Sequence, residues 1–450
     1  MSQSSKTTKT KPSTLEWHGA KVLKNTVTDN LRGKGAGICS VCCSHPLVVE
    51  AAVDQAVADD TILLVEATAN QVNQFGGYTG MKPADFAAYV LGIARDRGLP
   101  ENRIILGGDH LGPVCWTADE SKIAMEKAET LVADFAAAGF QKIHLDCSMP
   151  CADDPEDLGD GIIAERAARL CAAAEAAAID KFGVSGITYV IGTEVPPPGG
   201  ADEALHEVEV TPAERAGTTL EIHQSAFEAA GLLDAWKRVI ALVVQPGVEF
   251  DNSAVVDYQP EKASSLKAFV EMRGDGIAFE AHSTDYQRPH AFQELVRDHF
   301  AILKVGPGLT FALREALFAL ADIESALVPE ADRSNLRAVC ERRMLDEPKY
   351  WHRFYHGNDT ELSLLRQYSL SDRIRYYWPD PTVDAACEKL FDNLEKFEIP
   401  LGLLSQFLPT HVAEFRSGMV SLDPRELARA HVRQALAPYA LACVPSEVGA

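Results

Sequence analysis

Apolar runs in this chain repeatedly stop at a side chain able to bind or move a proton. The stretch RIILGGDHLGP (103–113) passes from Ile104, Ile105 and Leu106 to Asp109 and His110, with Gly107, Gly108 and Gly112 clearing space around them. TILLVEAT carries Glu66, KIHLDCSM carries His144 and Asp146, and ITYVIGTE ends at Glu194. VIALVVQPG reaches Gln245, and GIAFEAHST carries Glu280, His282, Ser283 and Thr284. AILKVGPGL places Lys304 before the turn Gly306-Pro307-Gly308. One such ending is ordinary turn chemistry. Its repetition over nearly every run points to a shared site. Two imidazoles and an oxygen donor make an open divalent-metal site of the zinc type, so His110 and His282 are expected ligands, completed by Glu194, Gln245 or Asp146. Such an ion polarises a carbonyl without moving a proton. Asp109, Asp146 and Glu194 are candidate acid/base groups, and Lys304 a candidate for steadying an oxyanion or phosphate.

Those endings must be brought together by the elements that carry them. Eight short apolar runs, beginning at GICSVCC (37–43), alternate with Ala-rich stretches of helical period such as ADFAAYVLGIARDRG (84–98). That alternation predicts a parallel sheet covered by helices. Eight units in roughly 290 residues fit an α/β fold of the (β/α)8 TIM-barrel type, in which strand C-termini line one mouth. No GxGxxG follows the first run, which weighs against an open dinucleotide-binding sheet. The expected organisation is a flexible N-terminal segment over 1–30, with a candidate helix near LEWHGAKVLKN, a barrel over 31–325 and a helical C-terminal extension over 326–450. Thr117 and Glu120 have capping-box spacing and predict a helix start just after the third strand.

Two loops leave the expected mouth. NQVNQFGGYTGMKP (70–83) is amide-rich and glycine-hinged, which makes Asn73 and Gln74 candidate substrate contacts, and GTEVPPPGGADEA (192–204) follows Glu194. Ser283, Thr284, Gly306, Gly308 and Thr310 supply hydroxyls and amides at the last two strands, where barrels often hold phosphate. No GxxxxGK[ST] is present, so an ATP-using kinase has no motif support and no nucleotide is expected. In the extension, Arg373 and Arg375 are open between a phosphate contact and a helix cap.

With 42 Lys plus Arg against 65 Asp plus Glu, the formal charge is −23, which disfavours nucleic acid as a partner. The N-terminus lacks an apolar export segment and no run is long enough to span a membrane, so a cytoplasmic location is expected. Ten dispersed cysteines then read as reduced core residues, the Cys39/Cys42 pair included.

The segments GICSVCCSHPLVVEAA, NQVNQFGGYTGM, IILGGDHLGP, KIHLDCSM, YVIGTEVPPPGG, EAHSTDYQ, HFAILKVGPGLTFALREA and SLSDRIRYYWP together resemble the GatZ/KbaZ family, over about residues 35–415. The resemblance implies a TIM barrel related to class II aldolases. It also implies one of three activities: D-tagatose 6-phosphate 4-epimerase, non-catalytic stabilising subunit of a two-component tagatose-1,6-bisphosphate aldolase, or that aldolase itself. By motif it places Asp109 and His110 at the third-strand acid/ligand pair, His282 at the seventh-strand ligand and Gly306–Thr310 at a phosphate-binding stretch. Gln245 stands where the resemblance expects a histidine. The implied cofactor is a divalent metal, with zinc the first expectation. The implied partners are a sugar phosphate and a Y-type aldolase subunit, and a homo-oligomer is a further expectation.

Overall fold

A computed structural model describes residues 17–193 and 208–445. The apolar runs fold as β1 (Ile38–Val41), β2 (Leu63–Thr68), β3 (Ile104–Leu111), β4 (Lys142–Leu145), β5 (Thr188–Ile191) and β6 (Val239–Val243). A small antiparallel hairpin, β7 (Glu249–Phe250) with β8 (Val255–Val256), follows β6. β9 (Ala278–Ala281) and β10 (Phe300–Val305) then close a parallel barrel in the order β1-β10-β9-β6-β5-β4-β3-β2. The TIM-barrel expectation is correct.

Helix α1 (His18–Leu31) precedes the barrel. Its Leu23 and Val27 cluster with Ile38, Leu64, Ile105 and Ile240, all at strand beginnings, so α1 plugs the N-terminal end of the barrel. The outer ring is built from α2 (Pro46–Ala58), α3 (Pro83–Asp96), α4 (Ser121–Ala137), α5 (Asp160–Phe182), α6 (Ala213–Ala229), the short α7 (Leu233–Trp236), α8 (Pro260–Arg273), α9 (Pro289–Arg297) and α10 (Pro307–Leu327). The capping-box expectation misses by several residues: α4 starts at Ser121, and Glu120 is its N-cap without a side-chain cap bond.

The helical C-terminal region comprises α11 (Leu336–Asp346), α12 (Asp359–Tyr368), α13 (Pro381–Leu394), α14 (Leu401–Phe407), α15 (Val412–Arg416) and α16 (Pro424–Cys443). α16 lies against α2, α9, α10 and β1. Its Tyr439 reaches the mouth, donating a 2.9 Å hydrogen bond to the carbonyl of Thr284 just beyond β9. No helix among the described residues is long and apolar enough to cross a membrane.

Candidate active site at the barrel mouth

The barrel interior carries a buried set of opposite charges that reaches up to the mouth at Lys304. Lys142 Nζ on β4 lies 2.7 Å from Glu66 Oε1 on β2 and 2.8 Å from Glu280 Oε2 on β9. Lys304 on β10 pairs with the other oxygen of Glu66 and lies 3.1 Å from Asp109 Oδ1. The contacts of Lys142 are ionic ones whose angles are not those of aligned hydrogen bonds. β3 stands between Glu66 and Lys142, both of which pair in register with Gly107. A side chain at 107 would put its Cβ 2.7 Å from Glu66 Cγ, so the glycine is what lets the carboxylate cross to the lysine. Gly112 serves a similar end, since a Cβ there would lie 1.7 Å from the carbonyl oxygen of Asp146. These two glycines thus make room for neighbouring strands; the expectation that they clear space for a ligand is corrected.

Above this layer three imidazoles converge. His110, His144 and His282 have ring centroids 4.9, 5.1 and 5.2 Å apart. One ligand atom from each, together with one oxygen of Asp109, falls in a group whose members lie within 4.8 Å of one another. Each ring has a carboxylate on one nitrogen. His110 Nδ1 is 2.7 Å from Asp146 Oδ2, His144 Nδ1 is 2.9 Å from Asp109 Oδ1, and His282 Nε2 is 3.0 Å from Glu280 Oε1. With Nδ1 of His110 and Nε2 of His282 donating to their carboxylates, His110 Nε2 and His282 Nδ1 keep their lone pairs, while His144 Nδ1 lies between Asp109 Oδ1 at 2.9 Å and the backbone amide of His110 at 3.3 Å. This carboxylate–histidine pairing is how metal-binding imidazoles are held in one tautomer and orientation. His144 Nε2 is buried with no hydrogen-bond partner, an orphaned polar atom that a bound ion would satisfy. The donor set therefore fits a divalent ion that accepts nitrogen ligands.

Charge tuning follows the same geometry. Burial pushes the His282 imidazole down to about 4, which keeps it neutral and able to coordinate at physiological pH. Burial opposes charge on His110 too, but Asp109 and Asp146 outweigh it and raise its pKa. Asp109 is buried as well, yet Lys304 and His110 hold its carboxyl well below the usual carboxylate range. His110 adopts φ +46°, a left-handed conformation uncommon for a residue with a side chain, where the pairing of β3 with β4 shifts register.

A cavity of about 430 Å³ opens over this cluster. Of the expected residues, Asp109, His110, His282, Ser283, Lys304, Gly306 and Thr310 line it. Several others do not. Gln245 is not in the wall, and its Oε1 accepts from the amides of Gly247 and Val248 and stabilises its own turn. Asn73 and Gln74 are absent from the wall. Asn73 braces its loop through the carbonyl of Ala69 and the amides of Phe75 and Gly77, and Gln74 donates to the carbonyl of Lys127. Their neighbours Asn70 and Gln71 are the ones facing the cavity. Thr284 turns its hydroxyl to the carbonyl of Lys304 and to Tyr439. Asp146 has both oxygens engaged, by His110 and by Ser148, so it positions His110 and does not face the cavity. The amides of Gly306 and Gly308, expected to receive phosphate, both donate to Oδ1 of Asp285, at 3.0 and 2.7 Å. Glu194 lies outside the described residues.

Sequence reasoning placed His144 at a strand end but left it out of the ligand set. Its i, i+2 spacing from Lys142 was the available signal, since alternate strand residues share a face. Arg375 lines the cavity, whereas Arg373 has its guanidinium 3.0 Å from the Phe354 ring centre. All ten cysteines are free thiols, and Cys42 and Cys43 line the wall.

A closed (β/α)8 barrel with a buried histidine–carboxylate cluster at its mouth defines the class of this protein as a TIM barrel with a candidate metal site. The family model for D-tagatose-1,6-bisphosphate aldolase subunit GatZ/KbaZ-like proteins matches residues 23–444, and the chain belongs to that family. A crystal structure from Sinorhizobium meliloti 1021, described as a probable tagatose 6 phosphate kinase, is 48% identical. The match covers 90% of this chain and 100% of that one, with a TM-score of 0.83. Fructose-bisphosphate aldolase from Campylobacter jejuni is more distant, at 14% identity over 87% and 98% of the two chains with a TM-score of 0.44. The YdjI aldolase from Escherichia coli K12 stands at 12%, 84% and 98%, and 0.39.

Proposed function

We propose that this chain interconverts D-tagatose 6-phosphate and D-fructose 6-phosphate by cleaving and re-forming the C3–C4 bond. The observation that carries the reading is the triad of imidazoles, each with one nitrogen on a carboxylate and the other left for a ligand. His110, His144 and His282 would hold a divalent ion, with zinc the first choice for three nitrogen donors. When bound, such an ion polarises the substrate ketone and stabilises negative charge on its oxygen.

The proton chemistry falls to Asp109. Its Oδ1 is engaged by His144 and Lys304, and its Oδ2 is 3.7 Å from the Cys42 thiol at the cavity wall. Oδ2 takes the proton of the C4 hydroxyl as the C3–C4 bond breaks, and the bonding pair moves to C3 to give a three-carbon enediolate. The phosphorylated aldehyde turns over, C3 re-adds to its other face, and Asp109 returns the proton to O4. Lys304, held by Glu66 and Asp109, fixes the orientation of that carboxylate. General acid/base transfer of this kind contributes roughly 10²–10⁴-fold.

The test is direct: purified protein with D-tagatose 6-phosphate and Zn²⁺, Mn²⁺ or Mg²⁺ should give D-fructose 6-phosphate without net release of trioses. No conversion with any of these ions would sink the reading. The family's description as an aldolase subunit supports a second reading, a stabilising partner for a Y-type aldolase chain. In that case the protein would be inactive alone and would raise the activity or thermal stability of the added Y-type subunit.

A further inference from the structure

A single phosphoryl group needs a cationic seat, and the last barrel loop does not offer one. Asp285 already fills the amides of Gly306 and Gly308, and a Cβ at Gly308 would sit only 3.0 Å from the same Asp285 oxygen. A phosphate dianion there would have to displace a buried carboxylate or meet its repulsion.

Arg375 is a cation of the wall that makes no ion pair within 4 Å among the described residues, although the carboxylates of Asp372 and Asp285 lie near enough to act on it. It precedes α13 and lines the same cavity as His110 and His282. Its Nη1 donates to the carbonyls of Ser371 and Asp372, and its Nη2 to the Tyr376 hydroxyl at 3.0 Å. The nearby Asp372 carboxylate is taken by Thr310, at 2.6 Å, and by Arg314, at 3.2 Å. Of the five guanidinium N–H groups, three are thus engaged, and the Nε–H and one Nη2–H remain. The Nε and Nη2 side of a guanidinium is the forked edge that binds phosphate with two parallel hydrogen bonds. The other three bonds pre-set the fork, which lowers the ordering cost of binding. The other cation of the wall facing the cluster, Lys304, is neutralised by Glu66 and Asp109.

We propose that Arg375, on the C-terminal helical region, seats the substrate's one phosphoryl group, and that Asp285 keeps a second phosphoryl group off the Gly306 and Gly308 amides. The inference rests on the sugar-phosphate reading above and adds its specificity, a monophosphate over a bisphosphate. Burial pushes the Asp285 carboxyl up to about 6, against the pull of the Gly308 and Gly306 amides, so it is charged at pH 7.5 and repels a second dianion.

Calorimetric titration of the full chain at pH 7.5 with D-fructose 6-phosphate and with D-fructose 1,6-bisphosphate tests this without requiring turnover. Wild type should bind the monophosphate at least tenfold more tightly than the bisphosphate. Arg375→Gln should lose at least tenfold for the monophosphate, and Arg375→Lys, which keeps the charge without the fork, should fall between. Asp285→Ser should raise bisphosphate affinity at least tenfold. Thermal melts establish that each variant is folded, and if Arg375→Gln is not, the Lys variant decides. Unchanged monophosphate affinity in the Arg375 variants, or an unchanged ratio in Asp285→Ser, overturns the inference alone. A wild-type chain that binds neither compound overturns it together with the reading above, whereas tight binding without turnover sinks only the epimerase chemistry.

Discussion

Two tiers of ionisable side chains lie one above the other inside the barrel, and they are satisfied differently. Lys142 and His144 are two residues apart at β4, as are Glu280 and His282 at the end of β9, so each strand supplies one member to each tier. In the lower tier, Glu66, Lys142, Glu280 and Lys304 meet opposite charges on every side. In the upper tier each imidazole hydrogen-bonds a carboxylate through one nitrogen only, and the second nitrogen of His110 lies 3.8 Å from Asp109 Oδ2. A closed ion network specifies packing and positions what lies above it. Imidazoles with one nitrogen left over offer that nitrogen to a ligand. Burial alone does not separate the two, since both tiers are buried; the lower one pairs each charge with an opposite charge, while the upper one leaves Nε2 of His144 with no hydrogen-bond partner.

Variants at the two tiers should therefore fail in different ways. Lys142→Met leaves two buried carboxylates facing each other and should cost on the order of 3–5 kcal/mol in chemical denaturation. An effect below about 1 kcal/mol, the scale of an exposed ion pair, would mean that the lower tier is not structural. His144→Ala should abolish tight zinc binding and epimerase activity while lowering metal-free stability less than Lys142→Met. Equal destabilisation by the two would erase the distinction between tiers. Asp146→Asn keeps the shape beside His110 but weakens the acceptor, and chelator competition should show a loss of roughly 10–100-fold in metal affinity.

The smallest effect belongs to a histidine of the same wall that is spent on backbone. His45 Nδ1 accepts from the amide of Leu47 at 3.2 Å and caps α2, and burial lowers its pKa to about 4. The unfolded chain takes up that proton near pH 6.5 and the folded chain only near pH 4. Stability contributed by the neutral form is therefore present above pH 6.5 and lost as pH falls through that window. With His45 lining a cavity open to water, the loss should be about 1–2 kcal/mol. His45→Asn, which retains a capping acceptor, should flatten the curve of unfolding free energy against pH between 6.5 and 4. It should also leave zinc affinity unchanged.

Much of this was legible before any coordinates. The alternation of apolar runs with Ala-rich helical stretches predicts the barrel, because a strand covered on both sides by helices has no polar face to show. Asp109, His110, His282 and Lys304 stand at run ends, and all four reach the mouth. The errors share a cause, since sequence locates a residue along the chain but not the direction of its side chain. In NQVNQ, Asn70 and Gln71 face the cavity while Asn73 and Gln74 are turned to backbone. Gln245 sits after β6 where a ligand is expected, yet the Pro246-Gly247 turn draws its amide back. Asp285 was invisible as a competitor for the Gly306 amide because 21 residues separate them.

The hydrogen bond from Tyr439 to Thr284 joins residues 155 positions apart. On the ribosome, the barrel strands emerge long before α16 is made. The segment that carries His282, Ser283 and Asp285 is held by β10 and its turn from the start, and gains its last brace only when that tyrosine arrives. The bracing of the site is then timed by a segment made well after the last barrel strand.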